Sequence, residues 1–110
     1  MPHDPKVCFL DIKTACECML EFVGNMSSAE YCRDRKTKAA VEREFSIIGE
    51  ALNRIKKINP DFLAGISHWQ KIIGFRNILV HAYDALDDEE VYFFVVTDIP
   101  VLLKEVLEKL

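Results

Sequence analysis

One stretch of this 110-residue chain gathers side chains able to do chemistry: Arg76-Asn77-Ile78-Leu79-Val80-His81-Ala82-Tyr83. Arginine is a permanently charged planar fork that fits a phosphate group. Histidine takes and releases protons near neutral pH. Together they suit cleavage of RNA without a metal. His81 would remove the proton of a ribose 2′-hydroxyl, while Arg76 would hold the scissile phosphate and its developing charge. The product ends would be a 2′,3′-cyclic phosphate and a 5′-hydroxyl. By spacing alone, a lone arginine and a lone histidine on a helix are more often a surface ion-pair member and a hydrogen-bonded histidine.

These residues need an element to hold them, and the pattern predicts a helix from about Trp69 to about Tyr83, opened by a capping box at Ser67-x-x-Gln70. At about 100° per residue, Phe75, Ile78, Leu79, Ala82 and Leu86 form the expected core face. The other side mixes Trp69, Ile73 and Val80 with Arg76, Asn77, His81, Tyr83 and Asp84. A helix apolar on both sides is usually buried on both sides, and a second copy of the chain is the simplest cover. Arg76 and Tyr83 share a stripe, as do Asn77 and His81, but Arg76 and His81 diverge by roughly 140°. One copy therefore converges poorly on a single phosphate. Two copies about a twofold axis could place both Arg–His pairs around one cleft.

The rest of the chain reads as helical. Asp4-Pro5 starts a first helix, with an apolar stripe of Val7, Leu10, Ala15, Met19, Phe22 and Val23 that stops at Gly24-Asn25. Ser27-x-x-Glu30 caps a short second helix. Val41, Phe45, Ile48, Leu52 and Ile55 recur at helical spacing in a third, which Asn59-Pro60 ends. Gly49 interrupts it at a cost of about 1 kcal/mol relative to Ala, which implies the close approach of another backbone. The run Tyr92-Phe93-Phe94-Val95-Val96 has strand-like composition, but Asp87-Asp88-Glu89-Glu90 makes an acidic helix start before it. A last helical stretch from about Asp87 to Leu110 should break near Asp98-Ile99-Pro100. The expected fold is all-α: one domain, residues 1–110, forming an antiparallel bundle of four to five helices.

Composition narrows the function classes. The chain is 50% hydrophobic and 29% charged, which suits a globular protein. No apolar run of about 18 residues predicts a membrane span, and the N-terminus lacks a signal-peptide pattern. Cys8, Cys16, Cys18 and Cys32 show no paired C-x-x-C spacing, so they read as free thiols of a reducing cytoplasm, with no metal site expected. Cys16 and Cys18 point about 200° apart on a helix. His3 falls at a terminus and His68 at a helix start facing solvent. The net charge of −4 disfavours broad nucleic-acid binding. The charge is uneven, however. Residues 33–57 carry eight basic against four acidic side chains, and residues 84–110 carry two against eight. Arg33, Arg35, Lys36 and Lys38 are candidate contacts for RNA phosphates, or a solvated connection.

Arg76 to Tyr83 resembles the Arg-x4-His-x-Tyr motif of HepT-like proteins of the HEPN class. Ile47-Ile48-Gly49-Glu50-Ala51-Leu52 resembles that family's middle helix. Trp69-x-x-Ile72-Ile73-Gly74-Phe75-Arg76-Asn77 resembles its approach to the motif, and Ile99-Pro100-x-Leu102 its final helix. The resemblance implies a homodimeric helical bundle with the motif at the dimer cleft. It further implies a metal-independent RNase, without a cofactor, acting as the toxin of a prokaryotic toxin–antitoxin pair. The implied antitoxin is a minimal nucleotidyltransferase that adds AMP to the motif tyrosine. By position, Arg76 and His81 become catalytic, Asn77 supporting, and Tyr83 the AMPylation site. An adenylate on Tyr83 would then sit on the Arg76 stripe, near the substrate's phosphate position. The alternative is a non-catalytic helical module that binds a nucleotidyltransferase and a nucleotide. Asp84, Asp87, Asp88, Glu89 and Glu90 would repel RNA if they lined the cleft, and would otherwise serve as helix-start charge.

Overall fold

The computed structural model describes residues 4–82, 84 and 86–110, and among them every regular element is helical. His3 and Tyr83 lie outside the described residues. Helix α1 is Pro5–Val23, α2 Ser28–Arg33, α3 Arg35–Ile58, α4 Trp69–His81, α5 Asp88–Thr97 and α6 Ile99–Leu107, with a 3₁₀ turn at Pro60–Leu63. The last two are the halves of the stretch expected to break near Asp98. No described helix is long and apolar enough to cross a membrane.

Short-range chemistry sets most boundaries. The Asp4 carboxylate accepts the Lys6 N–H at 2.9 Å with Pro5 as the first helical residue, and Gly24, at φ 51°, closes α1. Ser27 and Glu30 form both bonds of the expected capping box on α2. Asp34 accepts the Thr37 N–H at 3.0 Å and starts α3. The Asp87 carboxylate accepts from Glu89 and Glu90, so the segment beyond it is helix. The turn after Asn59-Pro60 is held by the Asn59 side chain, which accepts the Asp61 N–H.

The core lies between α1 and α3, the most extensively packed pair. The α6 helix covers α1, and α4 lies along α3. Val41, Phe45, Ile48, Leu52 and Ile55 are all buried, as the α3 pattern predicts. The α1 stripe needs correction. Ala15, Met19 and Val23 are buried, but Val7, Leu10 and Phe22 are exposed. Their places are taken by Cys8, Phe9, Ile12 and Cys16. A free thiol packs as a small apolar group, and leaving the cysteines out of the pattern rotates the inferred face. Burial pushes the Cys16 thiol up to about 12. All four cysteines are free.

The start of α4 also differs from the local pattern. Ser67 does not cap the helix. Its N–H and Oγ–H both donate to the Glu105 carboxylate on α6, at 3.0 and 2.7 Å. A charged acceptor outcompetes the neutral cap. His68 becomes the capping position in a left-handed conformation, φ 61°, which costs a residue with a Cβ roughly 1–2 kcal/mol. Lys109 adds a bond to the Ala64 carbonyl, so the end of α6 clamps the connection that feeds α4.

Phe45 joins three helices: its ring centroid lies 4.9 Å from Phe75 on α4 and 5.5 Å from Phe94 on α5. Phe45→Ala should lower stability by about 3–5 kcal/mol in urea unfolding. A loss below about 1 kcal/mol would show that this cluster does not hold α4 and α5 to α3.

Candidate functional site

Helix α4 meets α3 antiparallel. Phe75 and Arg76 in the later part of α4 meet Phe45 and Gly49, whereas Trp69 at its start lies 6.0 Å, ring centroid to ammonium, from Lys56 near the end of α3. Ile72 is buried, and Trp69, Ile73, Phe75 and Leu79 pack half-buried against the core.

Phe75, Leu79 and Leu86 of the expected core face pack against the core, and Arg76, expected on the other side, shares this inward face. The expected core residue Ile78 is instead 40% exposed. With apolar residues on both sides, the helical wheel of α4 has two nearly equal solutions. The missing side chain at Gly49 decides between them by accepting the Arg76 stem. The close approach expected at Gly49 is thus real, but the neighbour is a side chain. The Arg76 side chain is half-buried. Its Nε is closed off from solvent and has no hydrogen-bond partner among the described residues. Its Nη1–H donates to the Asn77 Oδ1 at 3.3 Å.

The outward face carries Gly74, Asn77, Ile78 and His81, all exposed, with Val80 51% exposed. His81 is the last residue of α4, two positions short of the expected end. Within the chain, Arg76 is therefore brought together with Asn77 and not with His81. The five-residue separation keeps their directions roughly 140° apart on the helix.

The basic candidates are dispersed. Arg33, Arg35 and Lys36 are exposed, whereas Lys38 is half-buried and paired with Asp88 at 3.2 Å. Arg35, Lys38, Glu42 and Asp88 line one hollow of mixed charge. Burial and the nearby Asp88 push the Glu42 carboxyl up, and Lys38 acts against them. His68 is exposed.

Comparison with known proteins agrees with this architecture. A family profile described as ribonuclease HepT-like matches residues 12–109. A protein of Thermococcus cleftensis named as a probable ribonuclease HepT is 35% identical over 104 residues, covering 91% of this chain and 89% of its own. MJ1380 of Methanocaldococcus jannaschii, named as a candidate RNase, is 32% identical over 106 residues, covering 94% of each chain. No solved structure matches.

Gly74 supplies a direct test of the outward face. A methyl group there would meet nothing within 4 Å. In the isolated chain, Gly74→Ala should raise stability by about 0.5–1 kcal/mol, read by urea unfolding at high dilution. Lower stability would mean that another body closes over this face.

Proposed function

The chain belongs to the HepT-like ribonuclease family, and from that premise we propose that it is a metal-independent endoribonuclease, built as a single domain of residues 1–110 and working as a homodimer. The observation that carries this reading is the division of labour on α4. Arg76 is anchored against α3, whereas His81 stands on the exposed face beside Gly74 and Ile78. With their directions roughly 140° apart, a single chain converges poorly on one phosphate. A second copy packed over the exposed face supplies the missing partner and buries Ile78. Gly74 fits such an interface, because a residue without a side chain lets a second backbone come close.

In this site His81 takes the proton of the ribose 2′-hydroxyl, and the freed oxygen attacks the adjacent phosphorus. The bond to the 5′-oxygen breaks, leaving a 2′,3′-cyclic phosphate and, after protonation, a 5′-hydroxyl. Arg76 bears the charge that builds on the phosphoryl oxygens. Asn77, which accepts from Nη1, orients the guanidinium fork. Exposed Arg33, Arg35 and Lys36 are secondary contacts for the flanking RNA, and Lys38 contributes less because Asp88 meets its charge.

The control is covalent. A minimal nucleotidyltransferase antitoxin transfers AMP from ATP to the Tyr83 hydroxyl and releases pyrophosphate. The added anionic group occupies the phosphate position near Arg76. The protein thereby acts as the toxin of a toxin–antitoxin pair in the cytoplasm.

Wild type, Arg76→Ala and His81→Ala should be expressed and assayed for growth arrest and for RNA cleavage with a chelator present. Loss of cleavage by at least about 100-fold in each variant is expected. RNA left equally intact by all three would favour the non-catalytic binding module, and cleavage that needs added metal would overturn the mechanism. With the nucleotidyltransferase and ATP present, Tyr83→Phe should stay toxic while wild type is silenced. Silencing of Tyr83→Phe would remove this tyrosine from the switch.

A further inference from the structure

We infer that Gly49 is the positioning residue for Arg76: an empty side-chain site on α3 that fixes where the guanidinium is delivered. The inference rests on the nuclease reading for its catalytic consequence, but not for the contact itself.

Gly49 lies buried in the middle of the longest helix, with Ile48, Ala51 and Leu52 buried around it. A Cβ at this position would stand 2.5 Å from the Arg76 Cβ, 2.8 Å from its Cγ and 3.6 Å from its Cδ. Carbon atoms pack at about 3.5–4.0 Å. The first of these contacts matters most, because the α4 backbone fixes the Arg76 Cβ and no rotamer can move it away. Adding one methyl group therefore displaces α4 from α3 by about 1 Å at this level. Large groups bracket the gap. Phe45 against Phe75 on one side and Lys56 over Trp69 on the other hold the helices together where side chains are present.

With its stem laid over Gly49, Arg76 leaves α3 in a set direction. Its Nε is sealed, while Nη1 lies beside exposed Asn77. Long flexible side chains lose much rotamer freedom when held in place. Here the stem is ordered by packing before any phosphate arrives, so less of that loss falls on substrate binding.

The test uses the full chain. In wild type, the Arg76 Nε–H should exchange with water more slowly than that of exposed Arg54, read from 1H–15N spectra. Exchange as fast as at Arg54 would overturn the inference without any variant. Gly49→Ala should fold, as judged by circular dichroism, and raise Arg76 Nε–H exchange by about tenfold or more. It should lower kcat for RNA cleavage by about 100-fold, as expected for a 1 Å misplacement, with KM within about threefold of wild type. Ile55→Val, a buried change on the same helix away from Arg76, provides the control for simple destabilisation and should leave kcat unchanged. A kcat loss in Gly49→Ala no larger than in Ile55→Val, or unchanged Nε–H protection, would overturn the positioning role. Protection lost in Gly49→Ala by a protein that never cleaves RNA would refute the nuclease reading and uphold the contact.

Discussion

The contact between α3 and α4 is the constraint from which the rest of the site follows. α3 serves two neighbours at once. Its regular stripe of Val41, Phe45, Ile48, Leu52 and Ile55 is buried in the core, and the adjoining surface holds α4. Interiors tolerate few voids and few overlaps. The gap at Gly49 is matched by the stem of a long charged residue, whose apolar carbons can be buried while its polar end reaches the surface. An aliphatic residue at 76 would fill the gap as well. Arginine fills it and also presents a permanently charged planar fork.

That packing leaves α4 with an inner face of mixed apolar and cationic character and an outer face with Gly74, Asn77, Ile78 and His81. The connection that sets its rotation is also unusual. Ser67 gives up its capping role to bond Glu105, and His68 takes a left-handed backbone. Two cross-links to the end of α6, Ser67 to Glu105 and Lys109 to Ala64, compensate for an uncapped helix start. The orientation of Arg76 is therefore held at two levels, by the seam with α3 and by the tether before Trp69.

The sequence made the helices legible wherever local chemistry governs them. Asp4-Pro5, the Ser27–Glu30 box and the Asp98 break each appear where expected, because a cap or a proline acts within a few residues of itself. The α3 stripe was equally plain, since all five of its residues point the same way. Reading failed where the answer depended on a distant partner. Ser67 could not be known to prefer Glu105, 38 positions along the chain. The face of α4 was ambiguous because both sides are apolar, and the rotation is settled by an absence at Gly49. The signal was present all the same, as a glycine at its helical cost in the best-formed helix. The α1 face emerges only when Cys8 and Cys16 are counted as apolar beside Phe9 and Ile12, because a buried thiol packs as a small apolar group. The motif itself was readable as a set of residue types, but not as a geometry.

The acidic run after the motif acquires a structural meaning from its caps and pairs. Asp87 accepts the first N–H groups of α5, and Asp88 bonds Lys38 on α3. A carboxylate at a helix N-terminus faces the positive end of the helix dipole, which offsets part of its field. Glu89 and Glu90 remain exposed, but they too belong to that first turn. The excess of four positive charges over residues 33–57 is likewise divided, with Lys38 turned to Asp88 and Lys56 over Trp69. A phosphate responds to the charges within about a Debye length, near 8 Å at physiological salt, and not to the total of −4. In the proposed site, the charge that meets such a ligand is the Arg76 guanidinium held at the α3–α4 seam. The fold keeps it there by leaving Gly49 without a side chain.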